Sequence, residues 1–101
     1  MLTRIVKMTF APEKVNDFLS LFNANKHLIA SFEGCSLLEL HRDINSPTVY
    51  FTYSKWQSEK HLENYRNSEL FNSVWRQTKV LFAAKPEAWS ISGVFSSEGN
   101  S

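Results

Sequence analysis

At Ala11-Pro12-Glu13 the chain changes its hydrophobic period, and that switch constrains the fold more than any other feature. Before it, Thr3 to Phe10 alternates Arg4, Val6, Met8 and Phe10 against Thr3, Ile5, Lys7 and Thr9, the period of two that marks a strand. After it, Val15, Phe18, Leu19, Phe22, Ile29 and Phe32 fall on one helical stripe, with Asn16, Asp17 and Asn23 off it. Proline suits a first helical position because it lacks the N–H that would be orphaned there, and an acid in the first turn suits the helix dipole. Ala11 has no side chain with which to cap, and Gly34 is expected to end the helix, since it accepts a positive φ.

The remaining segments follow the same logic. Cys35 to Asp43 reads as a second strand, Asn45-Ser46-Pro47 as a turn, and Thr48 to Lys55 as a third strand rich in β-branched and aromatic residues. Ser58 is placed to cap a short helix carrying His61, Leu62 and Tyr65. Asn67-Ser68-Glu69 restarts a helix whose stripe is Phe71, Val74, Trp75, Thr78, Leu81 and Phe82. Pro86 stops that region, Ala88 to Phe95 forms a last strand, and Ser96 to Ser101 is a polar tail. The expected class is α+β: a ferredoxin-like β-α-β-β-α-β order with a four-stranded antiparallel sheet and its helices on one face. A single domain is expected over residues 1–95, with 96–101 outside it.

Both faces of the strands carry apolar side chains. Leu38 and Leu40 oppose Leu37, Glu39 and His41; Val49, Phe51 and Tyr53 oppose Tyr50, Thr52 and Ser54; Ile5 opposes Val6 and Met8. Helices cover only one face, so the other is expected to pair with a second copy of the chain, giving a dimeric α+β barrel.

Composition narrows the functional classes. In 101 residues, 43% are hydrophobic and 14% aromatic, enough for one core, and 11 basic against 10 acidic residues leave a charge of +1. That balance offers no electrostatic footprint for nucleic acid or an anionic membrane, and fits a small aromatic or apolar ligand. Cys35 is the sole cysteine, which excludes an intrachain disulfide and a thiolate-rich metal site. The first residues run directly into strand pattern without a signal-peptide h-region, and no apolar run approaches the roughly 20 residues of a membrane span. The expected location is the cytoplasm.

The rings concentrate between Val49 and Trp75. Phe71 and Trp75 lie four apart on one helical stripe, readable either as core or as a pocket wall. Trp56, at a strand-to-helix junction, is expected to be structural. His61 has a side chain that titrates near neutral pH and sits four residues before Tyr65, so the two share a helical face. The competing readings are a surface histidine and a tyrosine with its hydroxyl in water. His41 is placed at the surface or an interface and His27 in solvent; the three histidines have no metal-ligand spacing. Lys7, Arg42 and Arg66 are read as favouring a bound anion or as facing solvent, with Lys7 leaning to the sheet rim.

The run YFTYSKWQSEKHLENYRNSELFNSVW carries a family resemblance. An aromatic strand, Trp56, a turn with Ser58, a helix through Leu62 to Tyr65, then Ser68 and a helix with Phe71 resemble the antibiotic biosynthesis monooxygenase family. That family lies in the dimeric α+β barrel superfamily, and the likeness covers residues 2 to about 95. The resemblance implies a ligand held between helices and sheet, and, in several members, oxygenation without metal or flavin. Such chemistry suits electron-rich phenols or quinols, whose anion passes an electron to O2 while the protein binds the ring and excludes water. The heme-degrading members need an Asn late in the first strand, a Trp in the short helix and an iron-ligating His in the next. Lys7, Tyr65 and Trp75 stand at those places, so heme degradation is disfavoured. The expected catalytic residues are thus His61 and Tyr65, and the expected substrate-binding residues Trp75, Phe71, Phe22 and Leu62, with no metal and no cofactor. The alternative is a non-catalytic dimer of the same fold that binds a small ligand.

Overall fold

The computed structural model describes residues 1–97. Strand β1 (Leu2–Thr9) leads into a short 3-10 turn, Pro12–Lys14, and helix α1 (Val15–Ala30). Strands β2 (Cys35–Arg42) and β3 (Val49–Trp56) follow, then helices α2 (Glu59–Arg66) and α3 (Glu69–Lys79), and strand β4 (Glu87–Ser92). The sheet order is β2-β3-β1-β4, with every neighbouring pair antiparallel. The fold is therefore the expected ferredoxin-like α+β arrangement, with its second helical segment in two pieces.

Several boundaries differ from the sequence reading, each for a local reason. Pro12 starts the 3-10 turn, and α1 begins only at Val15, with Lys14 at its N-cap and no side-chain cap bond. Helix α1 ends at Ala30, four residues before Gly34. Ser31 N–H bonds to His27 O and Phe32 N–H to Ile29 O, so a tight turn carries Phe32 off the helix. Gly34 then takes φ +91°, the one positive value among the described residues. Helix α3 stops at Lys79, and Phe82 instead bridges to Phe10 across a turn. Strand β4 ends at Ser92 because β1 runs out opposite it: Ser92 pairs with Leu2, and Val94 and Phe95 project into solvent. Of the expected polar tail, residues 98–101 lie outside the described residues.

Strand alternation sorts the sheet into two surfaces. The helix-facing row carries Arg4, Val6 and Met8 opposite Ser54, Thr52 and Tyr50. Met8, Phe10, Phe18 and Tyr50 form a buried cluster there, with Phe10 stacked on Phe18 at 4.2 Å between centroids. Each such ring contributes roughly 1.5–3 kcal/mol by leaving water. The opposite surface carries Ile5 between Tyr53 and Trp89, and Ile91 opposite Thr3. Trp89 and Ile91 remain 44% and 48% exposed, so this open face is apolar and uncovered within the chain.

Candidate functional site

Two serines set the geometry of the short helices. Ser58 caps α2 by accepting a hydrogen bond from His61 N–H at 3.2 Å. Ser68 caps α3, accepting from Phe71 N–H at 3.1 Å, while its hydroxyl donates to Tyr65 O at 2.6 Å. One side chain thus ends α2, starts α3 and fixes the angle between them. That angle brings Tyr65 edge-on to Phe71, with centroids 5.2 Å apart.

The rings continue in both directions. Tyr65 stacks on Trp56 at 5.0 Å and meets Phe32 edge-on at 5.3 Å. Phe71 lies nearly parallel to Trp75 at 5.8 Å, and Trp75 meets Phe82 at 5.6 Å. Between this aromatic wall and the sheet is a cavity of about 270 Å³. Its floor comes from β1 and β3 through Val6, Met8, Thr52 and Ser54; Phe22 and Ile29 of α1 close one side, and Pro86 to Ala88 border the edge. The volume falls near the lower end of the roughly 300–1,000 Å³ usual for small-molecule pockets, which suits one or two fused rings.

Most interior polar groups are already engaged. Ser54 Oγ accepts from Trp56 Nε1 at 3.0 Å, and the Thr78 hydroxyl donates back to Val74 O at 2.7 Å. Tyr65 differs: its hydroxyl makes no hydrogen bond to any described residue. Desolvation, with a smaller effect from Cys35, pushes its pKa up to about 12. It is therefore a proton-bearing donor at neutral pH, free to bond a ligand oxygen. Two charged side chains also border the cavity, Arg4 and Arg66; Glu87 borders it at the start of β4, but its carboxylate pairs with Lys7 on the opposite sheet face. Burial, then the proximity of Arg66, lowers the Arg4 pKa.

Five of the six residues singled out in the sequence line this one cavity: Tyr65, Trp75, Phe71, Phe22 and Leu62. His61 does not. Its Nδ1 lies 2.7 Å from Ser58 Oγ, and its ring and Cβ occupy the space that a side chain at Gly34 would need. Four-residue spacing puts His61 and Tyr65 on neighbouring turns, but the His61 ring packs on Gly34 while the Tyr65 ring lies among Trp56, Phe32 and Phe71. Trp56, expected to be structural, is 1% exposed at the strand-to-helix junction and also lines the cavity. His41 pairs with Glu39 on the open face, His27 is exposed, and Lys7 lies 3.9 Å from Glu87. Among the described residues no three His, Cys, Asp or Glu side chains come together as metal ligands. The cavity residue that the sequence reading passed over is Arg4, whose signal was its parity with Val6, Met8 and Phe10 in the helix-facing row.

A family model described as antibiotic biosynthesis monooxygenase matches residues 1–76, about three quarters of the chain. The chain belongs to the antibiotic biosynthesis monooxygenase family. The matched span carries β1 through most of α3, and with it every cavity residue named above except Thr78 and the β4 edge. Among solved structures, an antibiotic biosynthesis monooxygenase superposes with a TM-score of 0.87 at 17% identity, covering 93% of this chain and 99% of that one. A conserved protein from Methanosarcina mazei Go1 gives 0.84 at 21% identity, covering 90% and 91%. Rv0793 from Mycobacterium tuberculosis gives 0.86 at 13% identity, covering 96% and 98%. At these identities the likeness is one of fold. No curated protein matches the chain. No helix among the described residues is long and apolar enough to cross a membrane.

Proposed function

We propose that this family member is a cofactor-independent monooxygenase of a small aromatic quinol or phenol bound in the helix–sheet cavity. The observation that carries this reading is an aromatic-walled cavity lined by Tyr65, whose hydroxyl has no hydrogen-bond partner among the described residues. Phe71 and Trp75 hold the substrate ring, and Tyr65 O–H donates to its oxygen, favouring the phenolate. The phenolate passes one electron to O2, the radical pair joins at a ring carbon, and the resulting hydroperoxide loses water. For a dihydroxynaphthalene, one oxygen atom enters the ring, the other leaves as water, and the ring ends as a hydroxyquinone. His61 serves here as a positioning residue at the α2 cap, not as the base, and the phenolic proton leaves to solvent.

Oxygen uptake with dihydroxynaphthalenes and anthrones tests the reaction. Consumption above the protein-free rate, reduced at least tenfold in Tyr65→Phe, is expected; background rates across the panel would exclude it. Saturable ligand binding with no oxygen consumption would instead favour the non-catalytic binding dimer. Pairing of two open faces through Ile5, Tyr53, Trp89 and Ile91 accompanies the proposal, because an uncovered apolar sheet face is costly in water. Sedimentation at micromolar concentration is expected to give twice the 11.7 kDa chain mass. Trp89→Glu is expected to shift that toward monomer, and a wild-type monomer would refute the pairing.

A further inference from the structure

Arg4 and Arg66 reach the same cavity from different elements. Arg4 belongs to the helix-facing row of β1, and Arg66 is the last residue of α2. Arg4 Nη1 donates to Ser90 Oγ at 3.0 Å, which orients the guanidinium without neutralising it. The ion pairs among the described residues are Lys7–Glu87, His41–Glu39 and Lys60–Glu63; neither arginine takes part. Among the described residues the one acid in the lining is Glu87, and its carboxylate lies on the opposite sheet face with Lys7 rather than with either arginine. The lining therefore carries two guanidinium groups with no facing acid among the described residues, in surroundings that are otherwise mostly apolar and aromatic.

Two like charges at one cavity repel each other, and the part-buried Arg4 loses hydration that no acid among the described residues replaces. The lowered Arg4 pKa, caused by burial and then by Arg66, has the same origin. A bound anion would relieve both effects. Guanidinium groups present planar, paired N–H donors that match the two oxygens of a carboxylate, and converge on it better than on a neutral oxygen.

We propose that the cavity takes its aromatic ligand as an acid, the ring lying against Phe71 and Trp75 and the anionic substituent held by Arg4 and Arg66 together. This rests on the reading that the cavity binds an aromatic ring. It narrows the substrate class to aromatic carboxylates or equally charged ring substituents.

Calorimetric titration of the full chain with 2-naphthoate and with 2-naphthamide separates the two levels. The amide keeps ring and shape but has no charge. In the wild type the acid is expected to bind about tenfold tighter than the amide, the scale of a charge-assisted hydrogen bond. Arg66→Gln, at an exposed helix end, should cut that preference severalfold while leaving amide affinity within about twofold. Arg4→Gln should do the same, and the double variant should bind both ligands alike, with an unchanged circular-dichroism spectrum. If the wild type binds acid and amide equally, or the preference survives in the double variant or in Arg66→Gln unchanged, the anion assignment is wrong while ring binding stands. If neither ligand binds at millimolar concentration, ring binding and the anion assignment both fail.

Discussion

The helix-facing side of the sheet has two aromatic ends that differ in how completely they are filled. At one, Phe10 and Tyr50 are 1% and 4% exposed, sealed against Met8 and Phe18, which in turn border the cavity. At the other, Tyr65, Phe71 and Trp75 are only half-buried and surround a cavity. Ring contacts are continuous between the ends, through Trp75, Phe82 and Phe10. The chemistry of the residues is the same; what differs is their support. Phe10, just past β1, and Tyr50, on β3, pack on Phe18 in the first turn of α1, whereas Phe71 and Trp75 come from a helix hinged at Ser68. Tight packing and open cavity are thus separated along one sheet face.

The contrast breaks most directly by truncation. Phe10→Ala should destabilise by about 3–5 kcal/mol, because the sealed end cannot collapse around the void. Phe71→Ala, beside space already open, should cost about 1–2 kcal/mol and weaken ligand binding. Urea melts of the two variants decide the matter; equal costs would erase the distinction between the ends.

A smaller effect comes from alkali. Tyr65 in the unfolded chain loses its proton near pH 10, and in the folded chain holds it to about pH 12. Between those values the unfolded state binds fewer protons, so raising pH favours unfolding. The contribution is fully present below pH 10 and lost as pH rises through 12, on the order of 2–3 kcal/mol over the window. Tyr65→Phe should remove this part of the alkaline decline and, with no protein hydrogen bond lost, change stability little at pH 7. Identical alkaline melts for the two chains would contradict the burial of Tyr65.

The smallest effect concerns the hinge. Ser68→Ala removes the α3 cap and should cost about 1 kcal/mol. It should also loosen the Tyr65–Phe71 contact, so ligand affinity falls more than at Ser58→Ala, which removes the equivalent cap of α2. Equal binding losses would mean that Ser68 does not set the helix angle.

Much of this organisation was legible in the sequence, and the exceptions share a cause. Period reports which side of an element is buried, so element order, both sheet faces and the ring stripe of α3 were readable. Period does not report where a helix stops when tertiary partners intervene. Phe32 and Phe82 continue their stripes in the sequence, yet each leaves its helix to reach Trp56, Tyr65 or Phe10. His61 failed for a related reason: spacing gives the side of the helix, but the Ser58 cap and the bare Gly34 backbone decide where the imidazole lies. Arg4 was hidden by its charge, which draws attention away from the apolar row in which it stands.

The placement of the three tryptophans has a spectroscopic consequence. Trp56, 1% exposed, is buried where the cavity meets the strand-to-helix junction, the half-buried Trp75 stands in the cavity wall, and Trp89 lies on the uncovered sheet face. An indole's emission reddens as water reaches it, and each of these three meets water in a different event. Loss of the fold would wet Trp56, a ligand in the cavity would dry Trp75, and the proposed pairing of two sheets would dry Trp89. Single-tryptophan chains would therefore turn unfolding, ligand entry and self-association into three separate optical signals from one small molecule.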